Sequence, residues 1–236
     1  MKKIMIAIMT VTMFLLPTFC VEALSKSTIM PAEVLQKSIK KSIATPIAIV
    51  LPQRIPVAKN PYITAKTTST ATSYKVVYYA LKKPTTVNSP QALHASKKDA
   101  ILRITAKKYH SQAMAMKKIE SVNHFTAAGK VIAIMPTVKG YQDAGAGSQW
   151  TSWKMGRWSL TSHTTTNRPT ADVTRAQQII RYLQKHQLPI PRQNGVVIIG
   201  EDGQKNAVIW QNGAVVYTLD YTAKALDVIQ AATSLN

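Results

Sequence analysis

Residues 206–219, NAVIWQNGAVVYTL, decide the fold. Two runs rich in β-branched and aromatic residues flank Asn212-Gly213, a dipeptide that forms tight hairpin turns because glycine tolerates positive φ. A third run, Val196–Ile199, stands before them across a turn containing Asp202-Gly203. The sequence therefore predicts three strands in a meander: Val196–Ile199, Asn206–Gln211 and Ala214–Leu219. Upstream, Thr170–His186 (TADVTRAQQIIRYLQKH) puts Val173, Ala176, Ile179, Ile180 and Leu183 on one helical face. Thr170 stands at the cap position, Asp172 in the first turn, and Lys185 and His186 near the end, as the helix dipole favours. Leu188-Pro-Ile-Pro191 stops this helix, and Thr222–Leu235 reads as a closing amphipathic helix. The unit is helix, three-strand meander, helix.

Toward the N-terminus the pattern is looser. Pro31 opens a helix over 31–42, with Val34, Leu35 and Ile39 at helical spacing. Ile47–Leu51 is a short apolar run between Pro46 and Pro52, read as a strand near a sheet edge. From Gln53 to Thr72 proline and threonine dominate, which predicts a meandering connection with one short strand around Tyr62. Tyr74–Leu81 (YKVVYYAL) is the clearest strand of this half. Ile101–Thr105 reads as a further strand, Ser111–Ile119 as a short helix, and Val131–Val138 and Gln149–Ser162 as the rest of the sheet. The fold class is α+β: a mixed or antiparallel sheet covered by helices, ending in the helix–meander–helix unit. The expected organisation is a segment 1–23, a basic lobe over 24–168 and the C-terminal lobe 169–236, the two lobes joined in one compact domain.

The first 23 residues read as an export signal. Lys2 and Lys3 precede an apolar run from Ile4 to Leu16, Pro17 breaks it, and Val21-Glu22-Ala23 offers a cleavage site after Ala23. The run is shorter than the ~20 residues that a spanning helix needs. A retained membrane anchor is one alternative. A lipoprotein acylated at Cys20 is another, although Phe19 stands where such signals carry a small residue. Export makes the expected location secreted or extracytoplasmic, at the cell envelope. Cys20 is the only cysteine, so the mature chain has no disulfide and no thiolate chemistry, and its core must come from burial.

Charge is the second strong signal. The net charge is +20, and removing Lys2, Lys3 and Glu22 leaves +19. Between Leu24 and Arg168, twenty-two lysines and arginines face only Glu33, Asp99, Glu120 and Asp143; from Pro169 onward, six basic residues face five acidic ones. Such a field draws a protein toward polyanions in a salt-dependent way. Outside a cell these are wall polymers such as teichoic acids, anionic lipid headgroups and released DNA. Nucleic acid is the least favoured, because the charge comes as scattered lysine pairs rather than phosphate-matching arginine forks. The competing explanation is that the charge merely solubilises the chain or adapts it to an acidic exterior, where a chain with few carboxylates has few pairs to lose on protonation.

Aromatic residues supply the candidate binding site. Lys154–Arg157 reads as a turn that would make Trp153 and Trp158 cross-strand neighbours, while Trp150, three residues before Trp153, points to the opposite face. One face would present a stacking platform for sugars or bases built from Trp150, Trp153, Lys154, Arg157 and Trp158. The competing reading buries these rings in the core, as expected of Trp210 and Tyr217.

Leu51–Pro56 (LPQRIP), the tyrosine-rich strand, the Trp150/Trp153/Trp158 block and the ending VIWQNGAVVYTLDYTAKALDVIQAATSL together resemble poorly characterised exported proteins of Gram-positive bacteria. In that resemblance Trp153-Lys154-Met155-Gly156-Arg157-Trp158 matches a Trp-x-x-Gly-x-Trp-like hairpin. It implies envelope localisation and an α+β fold, and it brings no activity and no catalytic residue.

Catalytic patterns are thin. Gly145-Ala-Gly147-Ser148 has neither nucleophile-elbow nor Walker spacing, and Asp143–Gly147 reads as a flexible turn. His94, His110, His124, His163 and His186 form no HExxH and no i,i+4 pair, so no metal or cofactor is expected. Glu120 and Asp143 are the carboxylates a wall-glycan hydrolase would need. The sequence thus reads as a non-catalytic envelope protein that meets anionic wall polymer, a lipid surface or another envelope protein. The alternatives are an extracytoplasmic enzyme on wall glycan and a ligand- or stress-sensing domain.

Overall fold

The structure, a computed structural model, describes residues 32–57, 61–201, 205–220, 222 and 224–235. The export segment 1–23 and the Asp202-Gly203 turn lie outside the described residues.

Ten strands form one mixed sheet covered by helices, so the α+β class holds. The strands are β1 (Tyr62–Thr70), β2 (Ser73–Leu81), β3 (Ala100–Lys108), β4 (Lys130–Met135), β5 (Val138–Gly145), β6 (Ser148–Met155), β7 (Trp158–Thr165), β8 (Gly195–Ile199), β9 (Ala207–Asn212) and β10 (Val215–Asp220). The helices are α1 (Ala32–Lys41), α2 (Pro90–Leu93), α3 (Gln112–Glu120), α4 (Ala171–Leu183) and α5 (Ala225–Ala232), with a 3-10 turn at Lys97–Asp99. The sheet order is β1-β2-β3-β10-β9-β8-β7-β6-β5-β4. Every pairing is antiparallel except β7 with β8, which α4 connects as a parallel crossover. The meander β8–β10 sits in the middle, with β1–β3 on one flank and β4–β7 on the other.

Alternation assigns the two faces. One carries Tyr74, Val76, Tyr78, Leu102, Ile104, Trp153, Leu160, Val197, Val208, Trp210 and Leu219, and packs with Leu35 and Ile39 of α1, Ile179 and Ile180 of α4, and Val228 and Ile229 of α5. The other is covered in its centre by α3, whose Ala115 and Ile119 sit on Val196, Ala207, Ile209 and Val216.

Four local expectations are corrected. Ile47–Leu51 is not a strand but an irregular strap on the main core. The Tyr74 hydroxyl takes the Val50 N–H at 3.0 Å and donates back to the Val50 carbonyl at 3.2 Å, and the Tyr217 hydroxyl donates to the Ala48 carbonyl at 3.1 Å. Flanked by prolines, the strap satisfies its backbone on side chains instead of a ladder. The supposed connection before Thr72 contains nine-residue β1, because its threonines are β-branched and strand-compatible despite their polarity. Val131–Val138 divides at Pro136-Thr137 into β4 and β5. Asp143–Gly145 continue β5, and the turn is confined to Ala146 (φ 49) and Gly147 (φ 77), the double positive φ of a type I′ hairpin.

Candidate functional site

The second sheet face is open on both sides of α3, and each opening has its own chemistry. On the β1–β3 side, register lines up three rows. Lys66, Val77, Arg103 and Asp220 form one; Thr68, Lys75, Thr105 and Thr218 the next; Thr70, Ser73, Lys107 and Val216 the third. Each cation stands directly opposite hydroxyl or apolar neighbours, or, for Arg103, opposite its own counter-ion. The lysines are therefore diagonal to one another, ~7–8 Å apart at the Cα level. Arg103 is neutralised by a two-pronged pair to Asp220, at 2.8 and 2.6 Å. Lys75 and Lys107 are exposed, Lys66 is half-buried, and Lys107 Nζ lies 5.3 Å from the centre of the Tyr109 ring.

Three acidic residues of the C-terminal region, Asp172, Glu201 and Asp220, are drawn inward. Asp172 is fully buried at the start of α4, where its carboxylate accepts from Gln149 Nε2, from the Thr151 hydroxyl at 2.6 Å and from the Val173 N–H. Thr170 makes no side-chain cap bond, so Asp172 does the capping from inside the helix. Glu201 accepts from the Thr164 hydroxyl and lies 3.7 Å from Arg168. The Thr164 bond, with Arg168 beside it, holds its carboxyl below its ordinary range although partial burial opposes this. Ion pairs among the described residues join Arg103 to Asp220 and Arg168 to Glu201, and no described lysine takes part in either. Every described lysine except Lys66 is exposed.

On the β5–β8 side lies a pocket of ≈ 230 Å³ lined by His124, Trp150, Thr161, His163, Ile198 and Lys205, among others. Trp150 on β6 faces His163 on β7, with ring centres 5.3 Å apart and planes 40° apart. Phe125, from the loop after α3, meets Tyr141 edge-on at 5.8 Å and receives Lys154 Nζ at 4.9 Å, which anchors the segment carrying His124.

The five residues singled out from sequence separate. Trp150 is half-buried at the pocket, on the face opposite Trp153. Trp153 is fully buried, and Trp158 is buried with its ring where a Gly195 side chain would be. The two are not cross-strand partners: a two-residue turn at Gly156-Arg157 pairs Met155 with Trp158 and Trp153 with Leu160. Lys154 holds Phe125, and the Arg157 guanidinium donates to the carbonyls of Pro191 and Arg192. Glu120 and Asp143 are exposed, at the end of α3 and on β5. Sequence reasoning missed His124, His163 and Lys205 as pocket residues, because it tested the histidines only for metal spacing. It missed the lysine rows because β1 was expected only as one short strand around Tyr62, not as the nine-residue strand that carries Lys66.

Among the described residues no group of three His, Cys, Asp or Glu side chains could hold a metal ion, and no helix is long and apolar enough to cross a membrane. Comparison with family models, with curated proteins and with solved structures finds no match to this chain.

Proposed function

We propose that this is an exported, non-catalytic protein of the cell envelope that binds an anionic polymer of the wall through the open lysine rows of β1–β3. The supporting observation is the separation of charge. Asp172, Asp220 and Glu201 are engaged within the fold, while Lys66, Lys75 and Lys107 stand outside the ion pairs, on a sheet face lined with threonine hydroxyls. Ammonium groups held apart by the pleat meet successive anionic groups of a flexible polymer, and hydroxyls add hydrogen bonds without demanding one geometry.

The test is sedimentation of the purified protein with cell walls, with and without their anionic polymers, across a salt series. Binding that requires the polymers and falls steeply with salt supports the reading. A Lys66→Gln/Lys75→Gln/Lys107→Gln variant is expected to bind roughly tenfold or more weakly, as about 1 kcal/mol per basic residue near an anionic surface implies. Absence of binding at low salt, or binding unaffected by polymer removal, overturns it.

A further inference from the structure

We infer that the pocket around Trp150 is a binding site for a single pyranose ring carrying an anionic group. This deepens the polymer reading, since such a ring is a unit of acidic wall glycans, but it stands on a different part of the sheet.

Register builds the site in rows. Asp143, Trp150 and His163 lie side by side on β5, β6 and β7; in the next row are Tyr141, Ser152, Thr161 and Ile198 on β5 to β8. The half-buried indole and Ile198 supply an apolar surface, which matches the C–H face of a sugar. Polar groups surround it: His163 beside the indole, His124 from the anchored loop, and Lys205 just after the β8 region. Asp143, whose Oδ1 accepts the Ala144 N–H at 2.9 Å, is exposed on β5 beside Trp150, at the edge of the site.

Size and shape choose the ligand class. At ≈ 230 Å³ the pocket falls below the ~300–1,000 Å³ that drug-sized molecules fill, which suits a ligand of about one ring. Trp150 and His163 pack against each other with ring centres 5.3 Å apart and planes tilted by 40°, so they form no parallel slot for a flat base, and a ligand ring would lie on the open side of the indole. Charge chooses the substituent. Lys205 is exposed at the pocket and is the lysine among its described lining residues, so an anionic group directed toward it gains an attraction that the neutral sugar lacks.

The experiment follows the tryptophan indole N–H resonances of the isotope-labelled full chain during titration with glucuronate, glucose, acetate and a nucleoside monophosphate. The Trp150 signal is assigned by its loss in Trp150→Phe. Glucuronate is expected to move it with millimolar affinity, glucose several-fold more weakly, and acetate not at all. Lys205→Gln is expected to erase the preference for glucuronate over glucose, while the buried Trp153 signal stays in place and reports an intact fold. A Trp150 signal unmoved by glucuronate, moved equally by acetate, or moved at lower concentration by the nucleotide overturns the inference. The two readings fail separately: the Lys66/Lys75/Lys107 variant is expected to lose wall binding yet keep the glucuronate response.

Discussion

Trp158 occupies the space that a side chain on Gly195 would need. A Cβ built on Gly195 lies 2.5 Å from Cε3 and Cζ3 of the Trp158 ring, and the two residues are register partners at the start of the parallel β7–β8 pair. Glycine is required here by close approach of a ring, not by backbone conformation. Trp158 is 7% exposed, so the ring has little room to withdraw. Gly195→Ala is expected to destabilise by about 1–3 kcal/mol, the usual cost of overpacking. At ~2–4 °C per kcal/mol for a chain of this size, the thermal midpoint falls by several degrees. A Trp158→Leu replacement in the same background is expected to recover part of that loss, and an unchanged midpoint in Gly195→Ala would show that the ring yields freely.

The strap over 46–52 depends on two phenolic hydroxyls. Tyr74 serves both the N–H and the carbonyl of Val50, whereas Tyr217 serves only the Ala48 carbonyl. Tyr74→Phe therefore leaves two backbone groups unserved and is expected to cost about 1–3 kcal/mol; Tyr217→Phe is expected to cost about 0.5–1.5 kcal/mol. Hydrogen exchange at the Val50 amide is the direct readout, and it should accelerate much more in Tyr74→Phe. Burial pushes both phenols above their ordinary pKa. A raised phenol stabilises the fold below the unfolded value and loses that contribution as pH rises past ~10. Alkaline unfolding is thus expected to begin at lower pH in wild type than in the double Phe variant, measured relative to each protein's neutral stability.

Elements with a periodic apolar pattern were legible in the sequence, and elements held by polar side chains were not. The helix–meander–helix unit announced itself because β9 and β10 are rich in β-branched and aromatic residues around an Asn-Gly turn and α4 repeats Ala176, Ile179, Ile180 and Leu183 at helical spacing. By contrast β1 (YITAKTTST) reads as polar, because it is an edge strand whose one free side is covered by Asn88: the Thr67 N–H donates to Asn88 Oδ1 and the Asn88 N–H to the Ala65 carbonyl. Asn88 reaches this position with a positive φ of 58°, which no local pattern signals. Expecting only a short strand around Tyr62 hid the lysine rows, since register across the full β1–β3 is what brings Lys66, Lys75 and Lys107 onto one surface. For the tryptophans, the alternation that separates Trp150 from Trp153 was readable. The pocket needed His124 and Lys205, which come from distant loops and meet only through the sheet order.

Asp172 shows how a carboxylate is made structural. It is fully buried and surrounded by the amide of Gln149, the hydroxyl of Thr151 and the N–H of Val173. Asp172→Ala strands three donors and is expected to cost about 2–4 kcal/mol. Thr151→Val removes one donor and is expected to cost about 1–2 kcal/mol. Because both act on the same bond, the double variant should fall short of the sum by more than ~0.5 kcal/mol. Additive effects in urea unfolding would mean that the 2.6 Å bond contributes nothing of its own.

Glu201 gives the fold one acid-sensitive contact. Its pKa is lowered, first by the Thr164 hydroxyl and also by Arg168, so its contribution is present above the unfolded glutamate value near ~4.3 and disappears as pH falls through the lower folded value. The group is exposed enough for solvent to screen much of this, so the slope is shallow. Urea midpoints measured between neutral pH and strongly acidic pH should decline only below about pH 4 to 5, and Glu201→Gln should flatten that decline. A Glu201→Gln profile parallel to wild type would show that the Thr164–Glu201 contact does not set the acid sensitivity.

Lys75 separates the purpose of the positive charge from the needs of the fold. It is exposed near the start of β2, flanked across the sheet by Thr68 and Thr105, and its like-charged neighbours Lys66 and Lys107 lie on the diagonals. Nothing in its packing requires an ammonium group. Lys75→Glu therefore replaces two diagonal repulsions with two attractions and is expected to leave stability unchanged or raised by a few tenths of a kcal/mol, the scale of exposed pairs. The same change places a negative charge in the centre of the lysine rows, so polymer binding at low salt should weaken about tenfold or more, twice the electrostatic change of Lys75→Gln. If charge serves only solubility or acid tolerance, binding and stability would respond together and weakly. A variant that stays folded and loses the polymer would place the recognition surface on β1–β3.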